Sequence, residues 1–484
     1  MTALSFRARL LAGACTIASL TLATAAFAQD HQDHTGHAMP ASPAVEPQAT
    51  APQTAPATPE TDDPHAGHAG HMAMPEADMP MDHAAMDHGT MDDDDMASMA
   101  MVSPLGGYAM NRDAGGTAWQ PDATPNFGIM KHSGEWMLMG HALLNGVYVD
   151  QGGPRGGSKA FAAGMFMGMA QRQLGPGMLG FKAMVSPDPF MGKSGYPLLL
   201  ATGETADGEH PLVDRQHPHD LFMELSASYS LSVGDKSDVF IYGGLPGSPA
   251  YGPPAFMHRA SSMDSPEAPI SHHWFDSTHI TFGVVTAGFS HDDWKIETSA
   301  FRGREPDEKR YDIETGRLDS VSARLSYNPT PNWALQTSWA KVNSPEALDP
   351  DKDEARVSAS ALYARPLGKD GSVNATLAWS RKDRIPGDAL QAWLAEASVK
   401  PNDRWTVFAR AEQVEQDELA DHHGSHSGEA YTVRRVSLGA IRDFAIAPKV
   451  KFGVGGLVSA YDAPEVLGYD DPMGGMAFVR LRIG

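Results

Sequence analysis

Cysteine is almost absent from this 484-residue chain, and the one that occurs, Cys15, lies within the first 28 residues. Residues 1–28 have the pattern of a secretory signal peptide: two arginines, an apolar run from Leu10 to about Leu22, and the cleavage motif Ala26-Phe27-Ala28. The mature chain is therefore predicted to lack cysteine, which excludes blue-copper sites, iron–sulfur clusters, cysteine zinc sites and disulfide bonds. A lipid-modified Cys15 is the lesser alternative, because the apolar run before it is very short.

Long apolar runs are also missing after the signal peptide, so the sequence predicts no transmembrane helix. The strands of a membrane barrel alternate apolar and polar residues and give no such run, so a membrane location stays open. The net charge of −23 makes the chain a poor binder of nucleic acid.

Lysine and arginine are absent from residues 29–101, which instead contain eight histidines, ten methionines and fourteen acidic residues. Aromatic and β-branched residues are nearly absent from the same stretch, so it cannot bury enough apolar surface to fold. We therefore predict a disordered His/Met/Asp-rich tail over residues 29–102.

The tail repeats its metal-ligating residue types at short, regular spacings, including a five-residue period of methionine from Met81 to Met101. Thioether sulfur favours Cu(I) and imidazole suits Cu(II), while neighbouring carboxylates raise the local cation concentration. Copper ions, Cu(I) and Cu(II), are the predicted ligands, with no organic cofactor; a solubilising linker with incidental His and Met is the alternative. The candidate ligands are His31, His34, His37, His65, His68, His71, Met72, Met74, Met79, Met81, His83, Met86, His88 and Met91.

From about Gly134 onward, apolar and polar residues alternate with a period of two, as in strands. One row of the first strand, from Trp136 to Tyr148, is apolar with aromatic residues at its ends, and the row from Leu221 through Met223 to Leu231 repeats the pattern. Short and long connections alternate between about sixteen candidate strands, among them 279–290 and 332–342, with 14 and 18 strands as alternatives. Residues 103–484 are therefore predicted to form an all-β, antiparallel transmembrane β-barrel in contact with outer-membrane lipid. An even number of strands places both chain ends in the periplasm.

Two short ladders of candidate ligands lie in the predicted barrel wall. Met137, Met139 and His141 occupy the face opposite the Trp136 row, and Met165, Met167 and Met169 share one face of the next strand. If these faces point into the lumen, thioether and imidazole groups line a path. The alternative is that these methionines only fill space against an inward-folded loop.

Two long loops carry histidine motifs that lead into strands at the same predicted end of the barrel. They are Asp214–Asp220 and Ser271–His279, and they contribute His217, His219, His272, His273 and His279. Three interpretations stay open: a hydrogen-bonded network that pins the loops, which we favour, a metal site, and a Ser/His/Asp catalytic cluster. Catalytic triads are defined by geometry, and no G-x-S-x-G, H-E-x-x-H or P-loop motif occurs.

The signal peptide, the Met-Asp-His repeats at residues 81–88 and the barrel-like remainder resemble the bacterial copper resistance protein B family of outer-membrane proteins. The runs Asp214–Leu225 and Ser271–Val285 look more like uncharacterised outer-membrane proteins that accompany metal-resistance genes. The resemblance implies copper binding and copper tolerance at the outer membrane, with periplasmic copper-handling proteins as partners.

The predicted function is that of a non-enzymatic outer-membrane barrel whose periplasmic tail binds copper, contributing to metal resistance by sequestration or export. A general porin for small polar solutes is the alternative. An outer-membrane hydrolase that uses the loop histidines is the third hypothesis.

Overall fold

The computed structural model describes residues 102–125, 127–420, 428–470 and 472–484. The predictions for the signal peptide and for the ligands of the tail lie outside these residues. No helix among the described residues is long and apolar enough to cross a membrane.

The described chain is almost entirely β-structure, with one α-helix, α1 (His272–Phe275). The strands in chain order are β1 (Val102–Ser103), β2 (Gly106–Ala109), β3 (Ile129–Ser133), β4 (Trp136–Gln151), β5 (Gly157–Leu174), β6 (Gly177–Val185), β7 (Tyr196–Thr205), β8 (Pro211–Gln216), β9 (Phe222–Gly234), β10 (Ser237–Gly244), β11 (Val284–His291), β12 (Trp294–Phe301), β13 (Ser320–Thr330), β14 (Trp333–Val342), β15 (Asp353–Leu367), β16 (Gly371–Ile385), β17 (Ala389–Lys400), β18 (Trp405–Gln416), β19 (Tyr431–Ala447), β20 (Val450–Asp462) and β21 (Met473–Ile483).

Sixteen of these strands, β4–β6 and β9–β21, form one closed antiparallel barrel, which confirms the predicted fold class. The barrel closes where β21 pairs with β4, from Gly474 opposite Gln151 to Ile483 opposite Ala142. The short strand β3 pairs with the remaining edge of β4, from Trp136 to Gly140.

The two faces of the wall differ in polarity because successive side chains of a strand point to opposite sides. In β12, Trp294 and Ile296 are exposed on the outer face, whereas Lys295 and Glu297 are buried on the inner face. Trp294 stacks on Tyr327 of the next strand at a centroid distance of 3.9 Å, near the short-turn end. An apolar outer face with aromatic residues at its ends is typical of barrels that lie in a membrane.

Short turns join strands at one end of the barrel, and at the other end all connections are longer except the three-residue turn at 386–388. The turn between β9 and β10 and the turn between β11 and β12 contain two residues each, 235–236 and 292–293. The longest loops are L2 (residues 186–221), which contains the β7–β8 hairpin, and L3 (residues 245–283). β4 begins and β21 ends at the short-turn end, as predicted for an even number of strands.

Loop L3 lies inside the lumen and is bound to the barrel wall by buried ion pairs. Arg259 of L3 contacts Glu396 of β17 at 3.0 Å, and Asp264 contacts Arg480 of β21 at 2.6 Å. Glu267 pairs with Arg435 of β19. The polar inner face that the alternation predicted is therefore covered by a loop of complementary charge.

Residues 102–125, which we call the N-terminal plug, also lie inside the barrel and not in its wall. The backbone amide of Gly107 donates to Asp238 Oδ2 at 2.8 Å, at the start of β10. Arg112 donates to the carbonyl of Asp292 at 2.8 Å, in a short turn. These contacts place the plug at the short-turn end, and the wall begins with β3 and β4, near Gly134, where the alternating pattern was predicted to start.

One residue of the predicted outer row faces inward. The pairing of β6 with β9 shifts register between Met184 and Val185, where Met223 is left without a pairing partner on β6. Such a bulge redirects a side chain. Met223 is buried with Met165, Met184 and Phe282 and does not lie on the outer face with Leu225.

Candidate functional site

The two predicted methionine ladders face the lumen and oppose each other directly across β4 and β5. Met139 pairs with Met169, and His141 pairs with Met167. Side chains that are directly opposite in an antiparallel sheet have Cβ atoms about 5 Å apart. The register therefore brings three thioethers and one imidazole together on the inner face.

These residues line a cavity of about 100 Å³ near the short-turn end, which we call the methionine cavity. Its lining includes Met139, His141, Met167 and Met169 from the wall and His258 from L3. His141 Nδ1 and His258 Nε2 are both buried and have no hydrogen-bond partner. The cavity thus offers soft sulfur and unpartnered nitrogen atoms to one enclosed space.

The N-terminal plug forms one side of the methionine cavity. Met110 of the plug packs in one apolar cluster with Met137 and Met139. Asp113 and Gln120 of the plug also line the cavity. Met137, the remaining member of the first predicted ladder, therefore packs behind the cavity, against Met110 of the plug.

A second cavity, of about 60 Å³, adjoins the first and shares Met165 and Met263 with it. Met165, the remaining member of the second predicted ladder, thus lies between the two spaces. The second cavity is also lined by His217 and His219 of L2. Ligand-type side chains therefore continue from the methionine cavity toward the loop end.

The two histidine motifs of the long loops converge, as expected from their neighbouring strands. The ring of His217 lies 6.2 Å from that of His272 and 5.6 Å from that of His273, measured between centroids. One ring nitrogen from each of these three buried residues lies within 4.8 Å of the others. We call His217, His272 and His273 the imidazole cluster.

The two other loop histidines lie beside this cluster. His279 is 5.2 Å from His272 and 5.3 Å from His219 between ring centroids. His219 Nδ1 contacts Asp188 Oδ2 at 2.8 Å, and His279 Nδ1 contacts the carbonyl of Asp276 at 2.6 Å. Their remaining Nε2 atoms are buried without a partner.

Burial sets the protonation state of His217 and His273, which lie in loops outside the membrane-spanning strands. Burial lowers the pKa of His217 well below its usual range, and nearby cationic groups lower it further. Burial also lowers the pKa of His273 to about 3. Both rings are therefore neutral at physiological pH, which leaves one nitrogen lone pair on each.

A Ser–His–Asp arrangement does not form from the second motif. His272 Nδ1 contacts Asp276 Oδ1 at 2.6 Å, as in a catalytic dyad. The hydroxyl of Ser271, however, donates to Glu412 of the wall at 2.8 Å, and the hydroxyl of Ser277 accepts from Arg356 at 2.8 Å. Both serines serve to attach L3 to the wall.

Sequence reasoning missed the ligand-type residues that loops and bulges bring to these sites. His258, Met257 and Met263 lie in L3, which shows no strand period, and Met110 lies in the plug. One available signal was the number of methionines after Met101, because the flexible methionine side chain fills irregular gaps such as those between a loop and the barrel wall.

No known protein family and no curated protein matches the chain. Solved structures of similar fold include Salmonella typhi OmpF in complex with daunomycin, with 10% identity, 73% of this chain and 100% of that chain covered, and a TM-score of 0.47. The anion-selective porin from Comamonas acidovorans has 12% identity, 72% and 100% coverage and a TM-score of 0.43. The outer membrane channel DcaP of Acinetobacter baumannii has 11% identity, 74% and 100% coverage and a TM-score of 0.41. At these values the function has to be argued from the residues of the chain itself.

Proposed function

We propose that this protein is an outer-membrane β-barrel that binds copper with its His/Met tail and in its lumen, and so contributes to metal resistance by sequestration or export. The observation that carries the proposal is the methionine cavity, where Met139, Met167 and Met169 face His141 inside a closed barrel. The tail supplies the same ligand types in residues 29–101.

The ligand chemistry of the methionine cavity fits a soft monovalent ion. Thioethers select Cu(I) among the common biological metals, and imidazole accepts copper in both oxidation states. Simple space filling explains methionine, because its flexible side chain suits irregular gaps. It does not explain His141 and His258, which each have one buried ring nitrogen, Nδ1 and Nε2 respectively, without a hydrogen-bond partner.

The position of the chain ends supports a periplasmic source for the metal. In outer-membrane barrels the short turns face the periplasm, and β4 and β21 have their free ends on that side. The tail precedes Val102 directly in the sequence, and the plug that follows Val102 lines the methionine cavity. Ions bound by the tail would then be released near the cavity at a raised local concentration.

The location in the outer membrane is supported by the surface of the wall. Apolar side chains such as Ile241, Ile296 and Leu438 are each more than half exposed on its outer face. A wall whose outer face carries many exposed apolar side chains is unfavourable in water and favourable against lipid.

The test compares Ag⁺ binding, as an air-stable substitute for Cu(I), between the full-length protein and the triple variant Met139→Leu/Met167→Leu/Met169→Leu. Methionine-to-leucine changes keep the volume, so the barrel should still fold. Because both proteins keep the tail, we expect the variant to bind about one Ag⁺ fewer per chain. The control, Met473→Leu, changes a half-exposed methionine at the loop end and should bind as the wild type does. Equal Ag⁺ in all three proteins would refute the lumenal site.

A channel for small polar solutes is the second candidate function. It is favoured by the closed barrel with a long loop folded into its lumen, where charged pairs such as Arg324 with Glu297 line the wall. Rings of charged side chains set the selectivity of pores. Planar-bilayer recordings decide between the two: a wide conductance that copper does not alter would favour the channel.

A further inference from the structure

The imidazole cluster shares no residue with the methionine cavity, although L3 contributes side chains to both. His217 ends the β7–β8 hairpin of L2, whereas His272 and His273 form the first turn of α1 in L3. An inference about this cluster therefore stands independently of the proposed copper function.

The three rings lie close together, but they do not form hydrogen bonds with one another. Their centroids lie 5.4 to 6.2 Å apart, with tilted or edge-on geometry, and among the described residues no hydrogen bond joins two of them. A network whose role was to pin L2 to L3 would be expected to use such bonds. Instead His273 Nε2 is fully buried and has no partner at all. An unsatisfied buried nitrogen is costly and calls for a ligand.

Two of the three imidazoles contact a carboxylate, and a third carboxylate lies near the remaining imidazole. Asp276 Oδ1 lies 2.6 Å from His272 Nδ1, which leaves Nε2 of that ring for a ligand. Glu204 Oε1 lies 3.1 Å from one nitrogen of His217, and Glu305 Oε2 lies 4.0 Å from one nitrogen of His273. Carboxylates that fix the orientation of imidazoles are the usual outer shell of a metal centre.

Those carboxylates are themselves fixed by arginines. Asp276 Oδ2 accepts from Arg259 at 3.2 Å and from the backbone amide of Phe256 at 2.7 Å. Glu204 pairs with Arg310, and Glu305 lies 3.8 Å from Arg356. The three carboxylates are thus held by buried cations, of which Arg356 belongs to β15 of the barrel wall and Arg259 and Arg310 to long loops.

Glycine at one position allows the rings to come this close. Gly203 of β7 has φ = +108°, and a Cβ built there would lie 2.1 Å from His273 Cε1. Only glycine adopts this conformation readily and leaves that space. The backbone of the L2 hairpin is therefore shaped to receive the ring of His273.

From these contacts we infer that His217, His272 and His273 form a binding site for one borderline divalent cation of the Zn²⁺ type. Three nitrogens bound to Zn²⁺ at about 2.0–2.1 Å lie about 3.4 Å apart in a tetrahedron. The three nitrogens lie within 4.8 Å of one another, so each pair needs to approach by at most about 1.4 Å to reach that spacing. Neutral imidazole suits Zn²⁺ and Cu²⁺, whereas the thioethers of the methionine cavity suit Cu⁺.

The test measures zinc bound per chain by the full-length protein at a free Zn²⁺ concentration fixed with a chelator buffer. His217→Gln and His273→Gln should each bind one Zn²⁺ fewer than the wild type, while the tail contributes equally to all samples. His210→Gln is the matched control, since His210 is exposed at the tip of the same hairpin. Wild-type zinc content in folded His217→Gln and His273→Gln proteins would overturn the proposal.

A second measurement needs no variant and keeps the test decisive if a substitution prevents folding. One Zn²⁺ per wild-type chain should survive a brief EDTA treatment, because all three imidazoles are buried. Zinc that is stripped completely within that time would count against a buried site. Unchanged Ag⁺ binding in the methionine variant, with this zinc retained, would refute the lumenal copper site and leave the zinc site standing.

Discussion

Arg259 is predicted to be the main fastening of L3 to the barrel wall, and its replacement by methionine should release the loop. The guanidinium is fully buried, with two bonds to Glu396, at 3.0 and 3.2 Å, and one to Asp276 at 3.2 Å. It also donates to the carbonyl of Pro254 at 2.9 Å. Methionine keeps much of the volume of arginine, but it removes the cation that Glu396 and Asp276 share.

The size of the effect follows from these contacts. Removing one partner of a buried ion pair costs about 3–5 kcal/mol, because the remaining charge is left uncompensated. Arg410 still contacts Glu396 at 2.9 Å and His272 still contacts Asp276, so the lower value of about 3 kcal/mol applies. At about 1.4 kcal/mol per factor of ten, the population with L3 released should rise about 100-fold.

The assay is limited proteolysis of L3 in the folded, detergent-solubilised protein, together with urea unfolding. We expect cleavage within residues 245–283 to be about two orders of magnitude faster in Arg259→Met than in the wild type. Arg259→Lys should be intermediate, because lysine keeps the charge but lacks the two-pronged geometry. Cleavage within a factor of two of the wild type would show that Arg259 does not fasten the loop.

Three further predictions concern the tail, the plug and the imidazole cluster. Deleting residues 30–101 should remove most bound copper while the barrel still assembles, and equal copper per mole in both forms, by elemental analysis, would contradict this. Deleting residues 104–125 should raise the planar-bilayer conductance several-fold above that of the tail deletion, since the plug occupies the short-turn end. Gly203→Ala should weaken Zn²⁺ binding about 10- to 100-fold by displacing His273; Gly208→Ala, also at positive φ but with open space around it, is the control.

The strands of the barrel could be predicted because their period of two is a direct consequence of a wall with one apolar and one polar face. The strand predicted over residues 332–342, for example, is β14 (Trp333–Val342). The prediction failed where an apolar residue lies inside the lumen. A strand was expected from His279, but β11 begins at Val284, because Ile280 and Phe282 pack against Met165 and Met223 inside the barrel.

The convergence of the histidine motifs was predictable, and its geometry was not. Neighbouring strands that end at the same rim bring their loops together, which places His217 near His272. Which nitrogens meet depends on the β7–β8 hairpin and on Gly203, and neither leaves a periodic signal. The plug was missed for the same reason: β2 has only four residues, and the amide of Gly107 bonds to the side chain of Asp238 in the barrel wall.

L3 carries residues of both proposed sites, His258 in the methionine cavity and His272 and His273 in the imidazole cluster. A metal that binds only when L3 is seated must therefore stabilise the seated loop, by about 2.7 kcal/mol at a free concentration of 100 times Kd. This value is close to the cost predicted for Arg259→Met. Saturating Zn²⁺ should accordingly return the proteolysis rate of Arg259→Met to within about threefold of the wild-type rate. In the double variant Arg259→Met/His273→Gln, the same Zn²⁺ should leave the proteolysis rate high. If Zn²⁺ binds to Arg259→Met without slowing the cleavage of L3, then zinc binding does not require L3 to be seated in the lumen.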